Sequence, residues 1–144
     1  MSYSFRFLDD VAVADIAFEA EGDTAEDAFR GATQALLETM ADPRTVASVW
    51  VRDLDCTAGD LPDLLFEWLS EIVYWKDAEG VVFREVALTL SRQDGGWNVQ
   101  GRLTGAPVDH RMQHLRNDVK GVTKHLYEFR QVGERWRAMV VLDV

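Results

Sequence analysis

The last eight residues, Arg137-Ala-Met-Val-Val-Leu-Asp-Val144, constrain the fold more than any other stretch. Ala138, Val140 and Leu142 alternate with Met139 and Val141, so an extended segment here is apolar on both faces. A strand with one face in water alternates apolar with polar residues. This one is expected in the interior of a sheet, covered on both sides. The apolar run then meets Asp143 and Val144. With Val144 as the terminal residue, the Asp143 side chain and the α-carboxylate stand one residue apart at the tip of a rigid strand. Two anions held that close repel unless a positive group lies between them. The strand end is therefore a candidate cation site.

A chain of 144 residues suits one domain, spanning 1–144, with a full-sized core. The hydrophobic fraction of 47% excludes a disordered chain. No apolar run approaches the roughly 18 residues of a membrane span, and the N-terminus lacks a basic segment leading into an apolar one. A lone cysteine, Cys56, excludes an intramolecular disulfide and a cysteine-built metal cluster. Its place in an apparent strand marks it as a core thiol rather than a nucleophile. These features point to the cytoplasm and away from the membrane. The formal charge of −10 removes any broad attraction for nucleic acid, which comes from Lys and Arg neutralising phosphates. RNA is expected as an indirect partner only. A basic protein or a divalent cation fits the sign better.

Tyr3–Leu8 and Ala14–Ala20 alternate as short strands, and Gly22-Asp23 ends the second. Thr24-Ala-Glu-Asp27 resembles a capping box and opens a helix to about Met40, closed by Asp42-Pro43. Val46–Cys56 is rich in β-branched residues and reads as a strand. Asp60 is placed to cap a second helix, with Pro62 in its first turn, running to about Lys76. Its apolar stripe is unusually broad. Burial between layers is the first explanation, and a partner-binding Trp68–Trp75 surface is the second. Val81–Gln93 and Trp97–Thr104 flank Asp94-Gly-Gly96, a strong hairpin signal. Gly105–Gln113 reads as a loop. Val119–Val132 and Arg135–Val144 form a second hairpin around Gly133-Glu134. The expected fold is α+β, two helices on a mostly antiparallel sheet.

Three acidic groups sit at strand ends: Asp9-Asp10 with Asp15, Asn117-Asp118, and Asp143-Val144. A sheet can bring such ends to one edge. Converging carboxylates suit hard cations such as calcium, magnesium or manganese. From spacing alone, ordinary turn and capping roles are the commoner explanation of each group. His110, His114 and His125 carry a weak metal signal, since no Glu completes a zinc-protease pattern. His125 lies in an alternating run with Thr123 and Tyr127, where a structural histidine is commoner. No phosphate-cradling loop, nucleophile or catalytic set is evident.

The order of motifs resembles the archease family. Ala14-Asp15-Ile16 and Gly22-Asp23-Thr24, followed by Glu26-Asp27-Ala28-Phe29, match its early segments. Asp60-Leu61 through Leu64-Leu65-Phe66-Glu67-Trp68-Leu69 is similar to its second helix. Asp118-Val-Lys-Gly-Val-Thr-Lys-His125 stands against the family's Glu-Val-Lys-Ala-Val-Thr-Tyr-His, and Val140-Val-Leu-Asp-Val144 against Val-Val-Leu-Asp-Ile. The departures are Ala12-Val13 for the family's His-Thr, Asp118 for Glu, Gly121 for Ala and Lys124 for Tyr. The resemblance implies a non-enzymatic accessory protein that activates the GTP- and manganese-dependent RNA ligase of tRNA splicing and RNA repair, promoting its guanylylation and turnover. It also implies an alternative, a chaperone-like module for a tRNA-modifying methyltransferase. The family's divalent-metal site, often calcium, carries over to Asp15 and Asp143, with the Val144 carboxylate as a third ligand. Asp118, Lys120 and His125 fall in the matching late motif and are expected to support the site or contact the partner.

Overall fold

The computed structural model describes residues 2–9 and 15–144. Asp10 and the Ala12-Val13 departure lie outside the described residues. In chain order the elements are β1 (Tyr3–Leu8), β2 (Ile16–Gly22), α1 (Ala25–Met40), a 3-10 turn (Pro43–Thr45), β3 (Trp50–Ala58), α2 (Leu61–Glu79), β4 (Val81–Gln93), β5 (Gly96–Pro107), β6 (Gly121–Val132) and β7 (Arg135–Asp143). Every strand pairing is antiparallel. The α+β expectation holds, with the strands divided between two sheets, β1-β2-β7-β6 and β3-β5-β4.

The helices lie between these sheets. α1 packs on β1, β2 and β7 to one side and β4 to the other, while α2 packs between β6 and the β3/β5 pair. A helix covered on two sides needs apolar residues beyond one stripe, which accounts for the breadth seen in α2. Trp68, Leu69 and Ile72 have no exposed surface. Trp68 Nε1 donates to Thr33 Oγ1 at 3.0 Å and ties the two helices together. Trp68–Trp75 is thus core rather than a docking surface. Of its large apolar residues only Tyr74 is exposed, and the Arg52 guanidinium covers the half-buried Trp75 at 3.3 Å from the ring centroid.

Local signals act as expected at most element ends. Thr24 Oγ1 accepts the Asp27 N–H at 3.0 Å, one half of a capping box; the Asp27 carboxylate turns instead to Arg30. Asp60 caps α2 through the Asp63 N–H, and Gly80, at φ +63°, ends it. Asp94 and Gly95 both adopt positive φ, as a two-residue hairpin requires. β7 is interior, between β2 and β6. Its inward Ala138, Val140 and Leu142 are buried, and so is Val141 on the opposite face. Arg137 and Met139 remain partly exposed, so two-sided burial is confined to the end of the strand.

Two expectations need correction. β3 starts at Trp50 rather than Val46, because Asp42 accepts the Arg44 N–H and the Val46 N–H returns to Pro43 O, closing a 3-10 turn. β6 is not a regular alternating strand. Its register against β7 breaks between Thr123 and Glu128, with Leu126 at φ +55°. His125 therefore sits exposed in a bulge, not in an alternating run.

Candidate metal site at the strand ends

The ladder between β2 and β7 ends with Ile16 opposite Leu142. Asp15 immediately precedes Ile16 in a bend and Asp143 immediately follows Leu142, so both flank this last pair at the same end of the sheet. The end of β7 is fixed on its other side as well: Gly121 pairs with Asp143, and the Lys120 N–H donates to Asp143 O at 2.7 Å. Val144 packs its side chain against the core, while the Asp143 side chain is exposed.

Asp15 lines a cleft of about 390 Å³ together with Asp9, Glu38, Arg116 and Asn117. Its wall is the C-terminal end of α1, which has no basic residue in its last turn. The loop before β6 caps that end from a distance. Arg116 Nη1 donates to Glu38 O at 2.8 Å, the Arg116 N–H to Met40 O, and the Asn117 N–H and Nδ2 to Thr39 O. These bonds satisfy carbonyls that a helix end leaves unpaired. The same end carries the negative pole of the helix dipole. With Asp9, Asp15 and Glu38 around it, the cleft is a region where a cation gains and an anion loses. Arg116 offsets part of this by pairing with Glu38 at 3.0 Å.

The remaining expected residues stand elsewhere. Asp118 turns away from Asp15 and Asp143 into a second cleft of about 480 Å³, where it accepts from Lys76 Nζ. Lys120 and His125 are exposed. His110 lines the Lys76 cleft, and His114 serves the loop through its backbone. Among the described residues no three His, Cys, Asp or Glu side chains form a ready-made ligand set. Glu38 and Arg116 were not singled out from the sequence. Their role depends on where the end of α1 meets the 115–118 segment, and no local pattern encodes that.

The arrangement can now be set beside known proteins. Residues 5–144 match the model of the Archease protein family (MTH1598/TM1083). The chain belongs to the archease family. It is similar to the archease of Methanosarcina barkeri, at 29% identity over 97% of this chain and 95% of that one. The archease of Pyrobaculum neutrophilum is 33% identical over 91% and 90% of the two chains. Among solved structures, protein 1598 of Methanobacterium thermoautotrophicum superposes with a TM-score of 0.84 at 30% identity, covering 97% of this chain and 98% of that one. An archease from Thermotoga maritima, described as a possible chaperone, has the same fold with a TM-score of 0.61 at 20% identity and 92% and 93% coverage.

Cys56 is not placed as a nucleophile. Half-buried in β3, it has its thiol pushed up to about 11 by burial and then by the nearby Glu71, Glu67 and Asp55 carboxylates. It remains a protonated thiol at neutral pH, with none of the electropositive surroundings a nucleophile needs.

Proposed function

We propose that this archease is a non-enzymatic activator of a GTP- and metal-dependent RNA ligase acting in tRNA splicing and RNA repair, working in the cytoplasm. It promotes guanylylation of the ligase and repeated turnover. Asp15, Asp143 and the Val144 carboxylate hold a divalent ion, calcium first, with magnesium and manganese as the alternatives of the same hard-cation chemistry. The reading is supported by family membership together with one observation, the register that brings the ends of β2 and β7 to one edge. Oxygen donors alone suit this class of ion, and none of the residues offered is a soft ligand. A bound ion would neutralise the paired carboxylates. This chain's own residues supply the rest: Lys120 and Gly121 fix the end of β7 from the β6 side, and Val144 anchors it in the core.

The deciding experiment is multiple-turnover ligation by the ligase with wild-type protein, Asp15→Ala or Asp143→Ala. Loss of stimulation in both variants, with the fold intact, is expected. Undiminished stimulation removes the carboxylate edge from the mechanism. The description of the Thermotoga maritima archease as a possible chaperone supports a second reading, a chaperone-like module, for which the family resemblance implies a tRNA-modifying methyltransferase as the client. That reading requires the protein to keep such an enzyme soluble irrespective of Asp15 and Asp143.

A further inference from the structure

The two open sheets present four edge strands, and three are guarded. β4 is capped by α1: Leu90 N–H donates to Glu26 Oε2 at 2.9 Å, and Arg30 Nη2 donates to Leu88 O at 3.0 Å. β6 is bulged between Thr123 and Glu128 and fastened to α2 by the Tyr127 hydroxyl on Pro62 O. β3 carries an inward-facing charge, Arg52, stacked on Trp75. Each is a recognised way of preventing edge-to-edge pairing. Among the described residues β1 has none of them. It holds an unbroken six-residue register with β2, contains no proline, and directs its one charged side chain to the outer face, onto Glu19.

The unpaired backbone groups of β1 can be identified. The Asp23 N–H donates to Ser2 O, so Ser2 is hydrogen-bonded across to β2. Antiparallel ladders alternate, which makes Ser4, Arg6 and Leu8 the other bonded residues and leaves the N–H and C=O of Tyr3, Phe5 and Phe7 facing outward. Those three are also the aromatic residues of the strand, and Tyr3 and Phe7 are 42% and 44% exposed.

We infer that β1 is a self-association edge, pairing antiparallel with β1 of a second copy about a two-fold axis at Phe5, so that two four-stranded sheets become one continuous sheet. The sequence Tyr3-Ser-Phe-Arg-Phe7 fits its own reverse. With Phe5 opposite Phe5, Tyr3 falls opposite Phe7 on both sides, and all three outward residues of each copy are bonded. Every cross-strand pair on the inner face is aromatic on aromatic, a favourable pairing. On the outer face Arg6 falls opposite Ser4 of the second copy. Ser4 itself lies beside Glu21 of β2, and Glu21 already holds Arg137 at 3.2 Å. Each row therefore runs basic, acidic, small, basic, acidic, with no like charges directly opposed. One strand pair is a small interface, below the roughly 1,000 Å² of stable complexes, so association depends on concentration.

Sedimentation equilibrium from micromolar to millimolar protein tests this. The weight-average mass should rise from 16.3 kDa towards twice that value. Ser4→Lys sets a cation opposite Arg6 at two symmetric places and should return the mass to that of the monomer. It should do so without harming the fold, because Ser4 is exposed and neighbours Glu21 within its own chain. Amide exchange at Tyr3, Phe5 and Phe7 should slow as concentration rises. A constant monomer mass, association unaffected by Ser4→Lys, or exchange at these amides independent of concentration would each overturn the proposal.

Discussion

Lys76 Nζ donates to Asp118 Oδ1 at 2.6 Å across 42 positions of sequence, and Asp77 takes a second proton of the same ammonium at 2.7 Å. The Lys76 side chain is 7% exposed, whereas that of Asp118 is 81% exposed. Burial on its own would push the Lys76 ammonium down; its bonds to Asp118 and Asp77 outweigh that and hold it above the ordinary lysine range. The Lys76 hydrogen bond in turn holds the Asp118 carboxyl below the usual carboxylate range. Asp118, grouped by sequence with Asp15 and Asp143, is thereby committed to neutralising a buried cation.

Asp118→Asn should destabilise the protein at neutral pH by less than about 1 kcal/mol, since Asp77 remains and the lost carboxylate is solvent-screened. Asp118 has a lowered folded pKa, so its contribution is present above the unfolded value near 4 and is lost as pH falls through the folded one. Lys76 has a raised folded pKa, so its contribution is present below about pH 10 and is lost as pH rises through the folded value. Urea denaturation of the two proteins should give a constant gap from about pH 5 to 10 that narrows as pH falls below about 4. A gap of undiminished size at pH 3 would assign the effect to something other than this ion pair.

Calcium should raise the melting temperature of the wild-type protein, and chelator should reverse the rise. At a hundredfold excess over the dissociation constant the gain is about 2.7 kcal/mol, or roughly 5–10 °C for a domain of this size. Asp15→Asn and Asp143→Asn should each remove most of the shift. If both variants respond as strongly as the wild type, the ion is held elsewhere.

What could be read from the sequence follows the range of the forces involved. The Asp94-Gly95 turn and the Thr24 and Asp60 caps are short-range chemistry, and each appears where its residues predicted it. The interior position of β7 was legible because burial on both faces leaves its mark on every residue from Val140 to Leu142. The division into two sheets was not, since alternation reveals a strand's faces and not its neighbours. The break in β6 was hidden for a related reason. Lys124 to Tyr127 passes for a regular strand, and the contacts that accompany its departure are Tyr127 on Pro62 O and Lys124 over Phe66, 3.9 Å from the ring centroid. The same holds for Glu38, whose meeting with Arg116 spans 78 positions.

Removing the guard on β4 should expose a pairing edge. Glu26 and Arg30 are joined at 2.9 Å, and each bonds a backbone group of the edge strand. Glu26→Ala leaves the Leu90 N–H without its partner and should cost about 1–2 kcal/mol. Light scattering during refolding should also show more aggregation than for the wild type. A variant that loses stability without aggregating would mean that the Glu26–Leu90 bond supports the fold but does not protect the edge.

The bulge in β6 offers the sharpest test of backbone strain. Leu126 adopts φ +55° with half its surface in solvent, a conformation that costs a β-carbon-bearing residue roughly 1 kcal/mol or more. Leu126→Gly removes that cost, loses little packing, and gives back part of the gain through the larger entropy of the unfolded chain. The expected result is stabilisation of up to about 1 kcal/mol by urea denaturation. Leu126→Val should move the other way, because a β-branched side chain tolerates positive φ least. If the glycine variant is instead less stable, the exposed Leu126 side chain holds the bulge closed through its own contacts, and those outweigh the strain of its backbone.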